Sequence, residues 1–139
     1  MTKTLVQKIV FKNTTPEVLY NLYMDAKQHA MIVGAPCEIS AKEGSNYAVY
    51  GGHIKGKNLQ LIKNKLIVQT WKAEDWDKNA MESTFIINLE PKGKDVIVHA
   101  THANIPDEHY ESIDKAWHDY YWNPWKQHLA GEPIVRPKM

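Results

Sequence analysis

Apolar positions along the chain repeat with two different periods, and the changes of period divide it into four stretches. Residues 4–11, T-L-V-Q-K-I-V-F, are dense in β-branched side chains and predict a first strand. A helical pattern follows. Thr15 can cap, Pro16 fits the first turn and Glu17 suits the positive end of the dipole, while Val18, Leu19, Leu22 and Tyr23 supply an apolar stripe. Asp25 predicts the cap of a second short helix reaching about Met31, with Gly34 and Pro36 closing it. From Cys37 to Asn104 the period becomes two. Strands are expected near 37–41, 46–53, 57–62, 65–73, 81–90 and 95–103, separated by Gly-, Asn- and Pro-rich turns. In 81–90 the set Ser83, Phe85, Ile87 and Leu89 alternates with Thr84, Ile86, Asn88 and Glu90, which predicts one buried face. Gly51-Gly52 inside the 46–53 run predicts a bulge or sheet bend.

Asp107 to Gly131 returns to the helical period. Tyr110, Ile113, Trp117, Tyr120, Tyr121, Pro124 and His128 share one face, and Lys115, Asp119 and Lys126 the other. Pro106-Asp107-Glu108 suits the first turn and Gly131 the end. Pro124 lacks a donor and crowds the carbonyl of Tyr120, so a kink is expected over 120–124. Trp122 falls about 140° from Trp117 on an ideal wheel, off the core stripe. It is open there either to packing against neighbouring chain or to anchoring a partner.

The order is strand, two helices, a run of strands linked by short turns, long helix. Short turns imply an antiparallel meander, whose apolar face the aromatic C-terminal helix would cover. The expected fold is α+β, a curved antiparallel sheet wrapped around that helix. Residues 1–131 form one domain and 132–139 a tail.

Composition narrows the function classes. With 139 residues, 43% hydrophobic and 24% charged, and a net charge of +1, the chain has no global field to recruit nucleic acid or an anionic membrane. No apolar run approaches the ~20 residues that span a bilayer, and the start M-T-K-T-L-V-Q-K lacks a signal-peptide core. Cys37 is the only cysteine, so a reducing, cytoplasmic setting is expected, with no nucleic-acid or membrane partner.

Candidate chemistry is sparse. His99 and His102 are three apart on one expected strand and point to opposite faces. His109, His118 and His128 share a helix at no ligating spacing, and His53 stands on another strand. No metal and no cofactor is expected, and no nucleophile, phosphate or dinucleotide motif is present. The best-motivated site is a cavity between helix and sheet, where Trp117 and Tyr121 would face Trp71, Phe85 and Val98, with polar tips from Tyr47 and His53. The same rings could instead fill that space. Lys55, Lys57, Lys63 and Lys65 concentrate positive charge around one expected hairpin, and Trp76 follows Glu74-Asp75 in an acidic turn. With Trp122 these form a candidate partner surface, on which both indoles would be exposed.

Four segments carry a family resemblance: Y-G-G-H-I-K-G-K-N-L at 50–59, I-V-Q-T-W-K-A-E-D-W at 67–76, S-T-F-I-I-N-L at 83–89 and W-H-D-Y-Y-W-N-P-W at 117–125. In this order and spacing they resemble the activator of heat-shock protein 90 ATPase homologue family, within the START/Bet v 1-like superfamily. The likeness extends over most of residues 1–130. It implies a helix-grip fold and a partner of the heat-shock protein 90 class. It matches the C-terminal half of the family's eukaryotic co-chaperones, so their ATPase-stimulating N-terminal domain is expected to have no counterpart here.

The function expected is therefore a non-enzymatic binding module for a chaperone or for a hydrophobic small molecule. Two alternatives stand beside it. One is a small-molecule enzyme like the cyclases and dehydratases of the wider superfamily, which would need an acid/base pair inside the cavity. The other is a structural homodimer joined through the Trp strip. The chain could be monomer or homodimer.

Overall fold

A computed structural model describes residues 1–137; the last two positions of the expected tail, Lys138 and Met139, lie outside the described residues. The elements are β1 (Thr2–Phe11), α1 (Pro16–Met24), α2 (Ala26–Val33), β2 (Asn46–Val49), β3 (Ile54–Ile62), β4 (Leu66–Ala73), β5 (Ser83–Lys92) and β6 (Asp95–Pro106). A single 3₁₀ turn, Asp107–His109, leads into the C-terminal helix. That helix comprises α3 (Tyr110–Trp117), a π turn (His118–Trp122) and α4 (Asn123–Leu129). The strands form one antiparallel sheet in the order β1-β6-β5-β4-β3-β2, a meander closed by the first strand on the far edge. This is the helix-grip fold expected from the order of elements.

The local signals act as their chemistry dictates. Thr15 Oγ1 accepts from the Val18 amide at 3.3 Å, and Asp25 Oδ1 from the Gln28 amide at 3.0 Å. In β5, Ser83, Phe85, Ile87 and Leu89 all point into the core. Two strand boundaries are corrected. Residues 37–41 form no strand but one isolated bridge, Glu38 to Ala48. Past it the Asn58 side chain donates to the Ser40 carbonyl at 3.0 Å, doing locally what a ladder partner would do. The 46–53 run ends at Val49, and Tyr50–His53 is a turn rather than a bulged strand. Tyr50, Gly51 and Gly52 have φ of 54°, 67° and 87°, three left-handed residues in succession that no strand accommodates.

The C-terminal helix carries the main departure from an ideal wheel. The Asn123 amide bonds the His118 carbonyl, five residues back. Proline at 124 favours this underwinding, because it has no amide to offer the regular ladder. An underwound turn brings residues five apart onto one side. Trp117 and Trp122 accordingly stack, with centroids 5.6 Å apart and planes 18° apart. Trp122 is fully buried, its indole N–H donating to Gln7 Oε1 on β1 at 2.6 Å. His128, expected on the buried stripe, is exposed, while Trp125 is buried against Phe11. Beyond the helix, Glu132–Pro137 has no regular structure but is pinned. Arg136 donates to the carbonyls of Ile32 (2.8 Å) and Met31 (2.6 Å), the negative end of α2.

Candidate functional site

Three features of the fold open a cavity of about 230 Å³ between α3 and the β3–β4 end of the sheet. Its floor begins with the Trp117 indole, which lies flat on Phe85 (4.0 Å, 9°) and so cannot tilt to close the gap. The second is β4, which projects Trp71 toward the same space, 6.2 Å from Trp117. The third is the pair of turns flanking that end. Trp76 is folded back by a turn in which its amide bonds the Ala73 carbonyl (3.1 Å), setting its ring 5.6 Å from Trp71. Tyr50 is held by its left-handed turn against Tyr120 (5.4 Å, 60°). Ile113, Val33 and Tyr121 complete the apolar interior.

The rim is polar. His53 Nε2 stands 3.7 Å from Asp75 Oδ1 and its Nδ1 4.0 Å from Glu74 Oε2, with all three side chains substantially exposed. His109 stacks on Trp76 at 5.7 Å, and Ser112 closes the circle.

Behind the floor lie two buried histidines whose hydrogen atoms are fixed by their partners. His102 Nδ1 accepts from the Trp117 indole N–H (3.1 Å), so its Nε2–H donates to Ser83 Oγ (2.7 Å), which donates to the Trp71 carbonyl (2.6 Å). The arrangement hydrogen-bonds the Trp117 indole to the imidazole, and the Trp71 ring packs edge-on against the same imidazole at 4.8 Å. His29 Nδ1–H donates to the Tyr23 carbonyl (2.7 Å), leaving Nε2 to accept from the Tyr121 hydroxyl (2.8 Å). The Tyr23 hydroxyl in turn donates to Gln69 Oε1 at 2.9 Å. Burial depresses His29 to about 4 and His102 to about 3, so both are neutral at pH 7. Burial likewise raises the Tyr121 phenol well above its usual range. These groups position rings and hold no proton for exchange with a ligand.

Of the residues expected to line a cavity, His53, Trp71, Trp117 and Tyr121 do so. The other three are packed elsewhere. Phe85 is covered by Trp117, and Val98 is fully buried between its strand partners Ile9 and Leu89. Tyr47 lies over Gly56, its cross-strand neighbour, and donates to the Thr70 carbonyl at 2.7 Å. Tyr50, Trp76, Asp75 and Val33 were not expected to line it. They arrive from turns and a helix end, whose direction no periodicity encodes.

The candidate partner surface is revised. Trp76 and Trp122 are 5% and 0% exposed, so neither indole presents a face to a partner. Lys55, Lys57, Lys63 and Lys65 are all exposed, but they divide between the two ends of β3 rather than crowding one hairpin. At about 3.3 Å per residue the two pairs are roughly 20 Å apart.

Comparison with known proteins places this geometry. Residues 13–130 match the model of a family described as activator of Hsp90 ATPase homolog 1-like protein. The activator of 90 kDa heat shock protein ATPase homolog of Dictyostelium discoideum is 30% identical over 117 residues, covering 84% of this chain and 30% of that protein. The human activator of 90 kDa heat shock protein ATPase homolog 1 is 24% identical over 123 residues, covering 86% of this chain and 36% of its own length. The chain therefore spans about a third of the relatives it matches. An HSP90 activator from Plasmodium falciparum superposes with a TM-score of 0.82 at 24% identity, covering 94% of this chain and 97% of that one. The Aha1 dimer from Colwellia psychrerythraea gives 0.78 at 18%, covering 91% and 96%. With the family model matched from the first helix through the end of the C-terminal helix, this chain belongs to the family of activator of Hsp90 ATPase homolog 1-like proteins.

Proposed function

We propose that the chain is a non-enzymatic binding module that holds a hydrophobic small molecule in the cavity between sheet and helix. The observation that carries this reading is the floor. Trp117 and Tyr121 are hydrogen-bonded to buried neutral histidines, Trp117 is stacked on Phe85 and Trp71 packs edge-on against His102, so the hollow cannot collapse without breaking these contacts. A dry apolar cavity of about 150 Å³ accommodates benzene, and one of about 230 Å³ suits a substituted single ring or a small bicycle. Binding is favoured over catalysis because the titratable pair His53–Asp75 sits at the exposed rim, while the floor offers indoles, a phenol already hydrogen-bonded and aliphatic groups. Indole titrated against the protein, followed by ligand-detected NMR, is the test. Saturable binding at one site, competed by naphthalene, is expected; linear, non-saturating partition overturns the reading.

A second reading rests on the family. Its relatives are named as activators of the 90 kDa heat shock protein ATPase, and a partner of that class is proposed for this chain. With Trp76 and Trp122 buried, the exposed lysines of the candidate surface remain for it, Lys55 and Lys57 at one end of β3 and Lys63 and Lys65 at the other. Calorimetric titration against the 90-kDa chaperone at low salt is expected to give a complex that Lys55→Glu with Lys57→Glu weakens. Absence of a complex with folded protein overturns it.

A further inference from the structure

We infer that the cavity selects an organic cation, a small ammonium carried on an apolar body, over a carboxylate of the same size. The inference rests on the cavity-binding reading above and names the ligand class. Two independent features of the lining point to it.

The first is the wall chemistry. Tyr50, Trp71, Trp76, Trp117 and Tyr120 surround one hollow, and no other part of the described structure gathers as many π systems around open space. The face of an aromatic ring carries the negative part of its quadrupole, so rings converging on a cavity favour a cation, most strongly when water is excluded. Trp contributes more than Tyr or Phe, and three of these five are Trp.

The second is the formal charge. Asp75 lines the mouth, and Glu74 stands beyond His53 in the same turn. The lining contains no lysine or arginine. Arg136 lies behind the Tyr50–Tyr120 wall, but its guanidinium is committed to the carbonyls of Met31 and Ile32. Lys72, on the strand that carries Trp71, points away to the carbonyls of Lys78 and Ala80. A carboxylate entering this mouth would meet Asp75 with no lysine or arginine to answer it, and His53 at the rim already stands between the carboxylates of Asp75 and Glu74. An ammonium would meet Asp75 first and the aromatic lining beneath it, in a setting from which water is progressively stripped.

The experiment uses three ligands of nearly one shape: benzyltrimethylammonium, its uncharged carbon isostere neopentylbenzene, and phenylacetate. Each is titrated against the full chain, with saturation-transfer NMR as readout. The expected result is that the cation and the neutral isostere bind and compete. The cation is expected to bind about tenfold or more tightly than phenylacetate. Asp75→Asn is expected to lower the cation's affinity relative to the neutral isostere by about 1.4-fold to fivefold, the range of an exposed ion pair. Tyr120→Leu, which keeps an apolar wall and removes the ring, is expected to weaken the cation several-fold more than the isostere. Saturable binding of neopentylbenzene without the cation, or equal affinity for cation and phenylacetate, overturns the charge preference while leaving the cavity reading intact. Failure of all three to saturate overturns both. The isostere also guards against misfolding, because a variant that still binds it has kept the cavity.

Discussion

Acidification should unfold this protein through two histidines that are nowhere near its surface. His102 and His29 are 1% and 0% exposed, and each has both ring nitrogens engaged. At His102 the Nδ1 lone pair receives the Trp117 indole N–H, so a second proton there would face a donor instead of an acceptor. At His29 the Nε2 lone pair receives the Tyr121 hydroxyl; that hydroxyl can rotate, but only by giving up its one donor contact. The folded values lie at about 3 and about 4, below the ordinary 6.5, because burial disfavours the charged ring. In that window the unfolded chain binds protons and the native chain does not, so stability is full above pH 6.5 and falls as the pH drops below it. The loss continues until each folded value is reached. At pH 5 each histidine costs about 2 kcal/mol, roughly 1.5 units at 1.36 kcal/mol per unit, and the two together about 4 kcal/mol. Nothing is discounted for solvent screening, since neither ring is exposed. Against a typical total of about 5–15 kcal/mol, that is a large share. The surface carboxylates Glu90, beside His99, and Asp95, beside the Asn13 amide, are held below their ordinary values by those hydrogen bonds. Urea melts at pH 7, 6, 5.5 and 5 should give a slope of about 2–3 kcal/mol per pH unit at the acid end, and His102→Gln should halve it. A flat profile between pH 6.5 and 5, or an unchanged slope in the variant, would refute the assignment of those protons.

Three further outcomes follow from particular contacts. Trp117→Ala should cost about 3–5 kcal/mol in urea melts, by emptying the space over Phe85, whereas exposed Lys126→Ala, which loses only an ammonium 5.9 Å from the Phe11 ring, should cost no more than about 1 kcal/mol. Trp122→Ala should lower stability by a similar 3–5 kcal/mol, since the ring is buried and hydrogen-bonded to Gln7; a variant of unchanged stability would restore the partner-anchor role. Gly56→Ala should be among the most damaging single changes in the sheet. An added Cβ would sit 2.0 Å from the Thr70 carbonyl oxygen and 2.7 Å from the Tyr47 ring, so a loss of at least about 1–3 kcal/mol is expected in the same melts.

The elements were legible because their causes are local. Caps at Thr15 and Asp25, β-branched runs, the alternation of 83–89 and the aromatic stripe of the last helix each act within a few residues, and each is in place. The order of those elements, short turns between strands with an aromatic helix to cover one face, was enough to imply a curved antiparallel sheet wrapped around that helix, which the family resemblance made a helix-grip fold. Part of the cavity was legible for the same reason: Trp71 and Trp117 lie on regular elements, where periodicity reports direction.

What only tertiary structure decided is what depends on residues distant in the chain or on departures from regular geometry. Trp122 belongs to the flank of an ideal helix, and a π turn moved it into the core onto Gln7, 115 residues away. Trp76 and Asp75 come from a turn, and Tyr50 from three consecutive left-handed residues, so neither period nor propensity could aim their side chains at the hollow. His29 carries no motif and stands out only once Tyr121, 92 residues on, supplies its second hydrogen bond. The size of the cavity was undecidable from composition, because the same rings could fill the space or wall it. Stacking of Trp117 on Phe85, and the tie from its indole to His102, hold the wall in place.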